Sequence, residues 1–199
     1  MDKRKIRNHI RLLKALLFSW LYIPHYFIFI GGGEKTKIIA DLQAIEDQIG
    51  LKIPIALQLI YHLHNNRYYR TLFYHRIGPI WTALIGWYRP VDRYFNIANQ
   101  TRIGKGMWIA HPYATILNAN SIGENFRCIH CTTLGATPKG MPTIGNNVSL
   151  GANVTIIGPV HVGNNVTIGA GSVVVKDIPD DCIAVGNPCR PIKHISKTE

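Results

Sequence analysis

At 199 residues, with 47% hydrophobic and 17% charged side chains, the chain can bury one substantial core beside a smaller appended element, and disorder is excluded as its default state. Twenty-two Lys and Arg against 11 Asp and Glu leave a net charge of +11, which calls for an anionic partner. No recognisable nucleic-acid module accompanies that charge, so membrane lipid or a phosphate-bearing ligand is the expected partner and nucleic acid is not.

In residues 1–31, Lys3, Arg4, Lys5, Arg7, Arg11 and Lys14 lead into a largely apolar, aromatic stretch from Ala15 to Ile30, broken by Pro24-His25. A secretory signal would start the same way, yet no small-x-small cleavage site precedes the polar region. A membrane span needs about 20 apolar residues, and this run is shorter. Two readings stand side by side. One is a helix lying on a membrane face with its basic side chains toward anionic lipid; the other is a hydrophobic helix packed on the rest of the N-terminal domain.

Gly31-Gly32-Gly33 is a break, and residues 32–95 read as an α-helical domain. Ile38, Ile39, Leu42, Ile45 and Ile49 fall on one helical face, Asp41, Glu46 and Asp47 lie off it, and Gly50 occupies the stop position. Pro54 opens a second pattern through Leu63, a third runs from about Tyr68 to Ile77, and Pro79 and Pro90 bracket the last, Ile80 to Trp87. Tyr68, Tyr69, Tyr74, Trp81, Trp87 and Tyr88 are expected in a core or an interface, although such rings also form sugar platforms and membrane belts.

Residues 96–193 carry a different periodicity. An aliphatic residue returns every sixth position at Ile144, Leu150, Ile156, Val162, Ile168 and Val174; Ile116, Ile122, Cys128 and Leu134 keep the same step, and Ile97, Ile103 and Ile109 open the series. A second, mostly apolar row stands four residues later at Met107, Phe126, Val148, Val154, Val160, Val166 and Ile178. Six is neither the helical period nor strand alternation. It fits a parallel β-helix, whose short strands turn one branched residue inward and whose corners favour Gly and Asn. Asn146, Asn147, Asn164 and Asn165 fall at corners, where Asn tolerates the left-handed conformation. The phase breaks twice: one extra residue lies between Ile109 and Ile116, around His111-Pro112-Tyr113, and four lie between Leu134 and Ile144. Insertions leave a solenoid as bulges or loops, where function concentrates. Residues 194–199 form a C-terminal tail.

Cys128-Ile129-His130-Cys131 has zinc-like spacing, with Cys182 and Cys189 downstream. Cys128, however, occupies a beat position, so its thiol should face the core, and residues three apart on a strand face opposite ways. No metal is expected.

Several segments together resemble the hexapeptide-repeat acyltransferases of the serine acetyltransferase type. They are Ile103-Gly104-Lys105-Gly106, Ile109-Ala110-His111, Thr133-Leu134-Gly135 with its loop, Ile168 to Val174, and the terminal Gly186-Asn187-Pro188-Cys189-Arg190. The resemblance implies a mainly β fold, a left-handed parallel β-helix with an α-helical N-terminal domain. It also implies acyl transfer from acetyl-CoA and a homotrimer with active sites between solenoids; reduced thiols in a cytoplasmic enzyme are the working expectation for the four cysteines.

Acyl transfer to a hydroxyl removes its proton as oxygen attacks the thioester carbonyl, work suited to a neutral imidazole. The resemblance gives this role to His111, by direct transfer without an acyl-enzyme. Asn96 stands where the family has an aspartate orienting the base. Gly135, Gly151, Ala152 and Ala170 match positions where small residues let pantetheine approach the backbone, and Lys176, Arg190 and Lys193 are available to the coenzyme A phosphates. Ala110 replaces an aspartate beside the catalytic histidine, and Gly140-Met141 replace an Arg-His pair that helps grip serine. With Tyr113, Ala110 and Met141 as the acceptor contacts, an uncharged saccharide hydroxyl fits better than a zwitterion. This makes the expected activity O-acetylation of a surface-polysaccharide precursor at the inner face of the cell membrane. L-serine O-acetylation is the first alternative, and an inactive solenoid serving as a binding or assembly protein is the second.

Overall fold

A computed structural model describes residues 3–49 and 52–195, without the side chains of residues 47–49. The expected stop at Gly50, the face positions of Asp47 and Ile49, and the end of the tail lie outside what it describes. The chain forms two compact units, Met1–Asp92 and Arg93–Glu199.

The first unit is helical: α1 (Lys3–Leu17), a 3-10 turn (Ser19–Tyr22), α2 (Ile23–Gly31), α3 (Lys35–Ile49), α4 (Ile55–Asn65) and α5 (Arg67–Ile85). Asn66 caps α5, its side chain accepting from the Tyr69 N–H at 3.1 Å. Pro79 follows Gly78, whose φ of 83° interrupts the helix, so α5 is two helices joined at a kink. On α3, Ile38, Leu42 and Ile45 are buried as the spacing predicts. Asp41 departs from the expectation of a solvent-facing carboxylate. It is 1% exposed and accepts two bonds from Arg76, at 2.9 and 3.1 Å. The Arg76 side chain is just as deeply buried, and this opposite charge makes a buried carboxylate tenable. The aromatics also divide. Tyr69 and Tyr74 are core residues, whereas Trp81 and Trp87 are exposed.

The second unit is a parallel β-solenoid. Its coils are β1–β3 (Phe95–Ile97, Arg102–Ile103, Trp108–Ile109), β4–β6 (Thr115–Leu117, Ser121–Ile122, Arg127–Cys128), β7–β9 (Thr133–Gly135, Thr143–Ile144, Ser149–Leu150) and β10–β12 (Thr155–Ile157, His161–Val162, Thr167–Ile168). A last coil holds β13 (Val173–Val174) and β14 (Cys182–Gly186), with β15 (Cys189–His194) folding back antiparallel on β14. Like strands stack into three sheets, ordered β1-β4-β7-β10-β13, β2-β5-β8-β11 and β3-β6-β9-β12-β14-β15; we call these the first, second and third sheets.

The sixfold beat fills the core, since every beat residue is buried except one. Ile116 is 49% exposed, and Leu117 beside it is fully buried. Leu117 pairs with Ile97 below and Leu134 above, so it holds the beat. The bulge after Ile109 therefore carries two extra residues, and the next corner is one residue shorter to compensate.

Asparagine shapes the corner between the second and third sheets in two ways. Asn147 and Asn165 take positive φ near 55°, as expected, and so does Asn125, which was not anticipated; their amides form a ladder along the solenoid. Each Nδ2 donates to the next Oδ1, ending on Asp181, at 2.9, 2.8 and 2.7 Å. Asn146 and Asn164 depart from the expectation: neither is left-handed, and each accepts the backbone N–H of the preceding coil, from Glu124 and Asn146 respectively, at 2.8 and 2.9 Å. Glycine is required at the neighbouring column for space rather than for φ. A Cβ on Gly145 would stand 2.6 Å from the Gly163 carbonyl oxygen.

Candidate active site

The corner between the third and first sheets is set by a repeating hydrogen bond. Cys131 N–H donates to Tyr113 O, Asn153 N–H to His130 O, and Gly171 N–H to Ala152 O, at 2.8, 3.1 and 2.8 Å. These bonds align Tyr113, His130, Ala152 and Ala170 in one column, a coil apart at about 4.8 Å per step. Ala114, Cys131, Asn153 and Gly171 form the left-handed column beside it.

His111 lies in the two-residue bulge at the start of this corner. Its ring is exposed, and its φ of 49° is a second left-handed residue in one turn. The Tyr113 N–H donates to the His111 carbonyl at 2.6 Å, with Pro112 buried between them. A non-glycine residue held in this conformation costs about 1 kcal/mol or more. The bulge thus lifts one imidazole out of an otherwise regular corner.

Tyr113, beyond the bulge, packs against Tyr94 with ring centroids 5.0 Å apart, and both rings are more than half exposed. Asn96 stands two residues from Tyr94 on the outer face of β1, paired in register with Ile116. His111, Tyr113, Tyr94 and Asn96 therefore occupy the same end of the first sheet. Among the described residues no hydrogen bond joins Asn96 to the His111 ring. Ala110 closes β3, its N–H donating to Cys128 O at 3.2 Å. Met141 lies elsewhere, in the loop before β8, where its carbonyl accepts from Asn120 Nδ2 at 3.0 Å. That loop is pinned at its tip by reciprocal backbone bonds between Thr137 and Gly140, at 2.9 and 3.0 Å.

Of the small residues, Ala152 and Ala170 continue the Tyr113 column away from His111, roughly 14 Å from Tyr113 to Ala170. Gly151 stands beside them, where a Cβ would meet the Ala170 N–H at 2.7 Å. Gly135 ends β7 at the opposite edge of the first sheet. Lys176, Arg190 and Lys193 are exposed on the last coil and its hairpin. His111 thus stands at one end of a column that runs through Tyr113 and His130 to Ala152 and Ala170, and the three exposed cations belong to the last coil and hairpin at the other end of the solenoid.

Two exposed side chains at the site were not anticipated. Tyr94 had no periodic signal, and His130 was considered only for its spacing to the cysteines; its place beside Tyr113 follows from coil register. Cys128 is fully buried, and burial raises its thiol pKa to about 12, a core side chain rather than a nucleophile. Among the described residues no group of three or more His, Cys, Asp or Glu could hold a metal ion.

Residues 141–176 match the bacterial transferase hexapeptide (six repeats) family. The Escherichia coli (strain K12) protein WcaB, assigned as a colanic acid biosynthesis acetyltransferase, is 41% identical over 122 residues, covering 57% of this chain and 75% of WcaB. Soybean serine acetyltransferase in complex with serine superposes with a TM-score of 0.64 at 31% identity, over 84% of this chain and 72% of that one. The serine acetyltransferase of Brucella abortus strain S19 shares the fold, with a TM-score of 0.69 at 24% identity over 88% and 75% of the two chains.

Proposed function

This chain belongs to the hexapeptide-repeat acetyltransferases of the serine acetyltransferase type, and we propose that it moves the acetyl group of acetyl-CoA to a hydroxyl of a saccharide or surface-polysaccharide precursor. His111 acts as the general base, taking the hydroxyl proton as its oxygen attacks the thioester carbonyl. The thiolate of coenzyme A leaves, and no acyl-enzyme forms. Asn96, on the outer face of β1, serves to orient the base once substrate closes the site, since catalytic hydrogen bonds often tighten only in the ternary complex.

The observation that carries the acceptor class is the exposed Tyr94–Tyr113 pair beside His111, an aromatic surface on which a sugar ring can lie. Ala110 and Met141, at the positions that carry charge in the serine-specific pattern, leave no grip for a zwitterion. The likeness to WcaB supports the same class. The competing reading is O-acetylation of L-serine, which the likeness to the soybean enzyme favours. In this proposal acetyl-CoA lies along Ala152, Gly151 and Ala170 with Lys176, Arg190 and Lys193 at the phosphates, and Gly135, at the opposite edge of the first sheet, lies off that path.

A homotrimer completes the site. Ile116, Ile157 and Val175 stand exposed on or beside the outer face of the first sheet, an aliphatic stripe suited to packing against a second solenoid. The proposed location is the cytoplasmic side of the cell membrane, where acetyl-CoA is available. The test is coenzyme A release by purified protein offered L-serine or a panel of saccharides and cell-envelope glycans. Release with a glycan and not with serine is the expected result; release with serine alone would overturn the acceptor assignment.

A further inference from the structure

Helix α1 faces the wrong way for a helix that serves only the core of its own unit. Asn8 and Ala15 are its buried residues, and Tyr61 of α4 donates to Asn8 Oδ1 at 3.4 Å, which fixes its inner side. Its apolar stripe, Ile6, Ile10, Leu13 and Leu17, recurs at helical spacing on the opposite side, with Leu13 66% and Leu17 72% exposed. Lys3, Arg7, Arg11 and Lys14, all exposed, run beside that stripe at the same spacing. No Asp or Glu occurs between Lys3 and Gly33.

The same unit leaves a second apolar surface open. Past the Gly78-Pro79 kink, the last turns of α5 hold Trp81 and Leu84 across a cleft of about 520 Å³ from Pro24, Phe27 and Ile28 of α2. Exposed indoles flank both helices, Trp20 in the 3-10 turn and Trp87 just after α5. Indoles at the margin of an apolar patch suit the boundary between headgroups and acyl chains.

We propose that these surfaces form a membrane-docking face, on which α1 lies in the plane of an anionic lipid leaflet and the α2–α5 cleft takes up acyl chains. The basic flank of α1 selects lipid over a second copy of the chain, since an isologous contact would set like charges against each other. The in-plane orientation is argued from the sidedness of α1, whose apolar stripe runs beside the exposed Lys3, Arg7, Arg11 and Lys14. Among the described residues no single helix is long and apolar enough to cross a membrane; α1 and the segment that follows reach that length and hydropathy only together, across a 72° bend. The face extends membrane contact beyond residues 1–31 to α5. It does not depend on the identity of the acceptor.

The test is flotation of the 199-residue chain with vesicles of phosphatidylcholine alone or mixed with phosphatidylglycerol, a readout independent of catalysis. Wild-type protein should float with the anionic vesicles, and high salt should weaken that binding. Leu13→Glu with Leu17→Glu, and separately Trp81→Ala with Leu84→Glu, should each lower the partition coefficient by roughly tenfold or more. Because all four side chains are exposed, circular dichroism should be unchanged. Replacing Lys3, Arg7, Arg11 and Lys14 by Gln should remove the preference for anionic vesicles. Failure of wild-type protein to bind, or undiminished binding by both apolar variants, would overturn the proposal. So would variants that change the oligomeric state in sedimentation velocity while wild-type protein ignores vesicles, because a second copy would then cover the face.

Discussion

His62 on α4 has two buried ring nitrogens with no hydrogen-bond partner among the described residues, and burial lowers its pKa to about 3. His25 on α2 is also buried and lowered to about 4, chiefly by burial and then by Arg89 and Arg70, but its Nε2 is bonded to the Tyr74 hydroxyl at 2.9 Å. An imidazole in the unfolded chain titrates near 6.5, so below about that pH the unfolded state binds protons that the native state refuses. The stability linked to both residues is therefore complete above about pH 6.5 and is lost as pH falls, down to about 4 for His25 and about 3 for His62. Replacing an unpartnered buried polar group by an apolar one is close to neutral or favourable, whereas breaking a buried hydrogen bond costs about 1–3 kcal/mol. Urea unfolding should find His62→Leu at least as stable as wild type near neutral pH, with a shallower loss in acid. His25→Leu should be less stable at neutral pH. An unchanged acid slope in His62→Leu would contradict this assignment.

Among the elements, β4 tests how the solenoid finds its register. Leu117 points into the core and Ile116 out of it, so Leu117→Ala should cost about 2–5 kcal/mol. Ile116→Ala should cost no more than about 1 kcal/mol in the monomeric solenoid, and equal losses in chemical denaturation would refute the register. This is also where the sequence stopped being legible. Six unbroken beats from Ile144 to Val174 identify the coils, because each short strand has a single inward position. After the bulge two adjacent residues, Ile116 and Leu117, are both apolar, and the choice between them is made by pairing with Ile97 and Leu134, contacts no local pattern contains. Asp41 is a parallel case in α3: its periodicity says solvent, and its partner Arg76 lies 35 residues away. Asn146 and Asn164 were legible as corner residues, but which asparagine in each pair takes the left-handed turn depends on the coil stacked beside it.

For the molecule as a whole, the candidate site was legible where it broke the repeat and hidden where it depended on register. His111 stood out in the sequence because the period fails around it, and the structure finds it lifted from a regular corner by two inserted residues. The Tyr113–His130–Ala152–Ala170 column is not legible in the sequence, since it joins residues from four successive corners whose register the two-residue bulge shifts. The central claim is that this corner performs base-catalysed acetyl transfer, and the most direct measurement is the rate of coenzyme A release by wild type and His111→Asn with the same acetyl-CoA and glycan acceptor. Asn is chosen because it tolerates the left-handed backbone at this position, so the bulge should persist while the base is lost. The account predicts a fall in turnover of about 10²–10⁴-fold with unchanged thermal stability. Turnover within about threefold of wild type would contradict it.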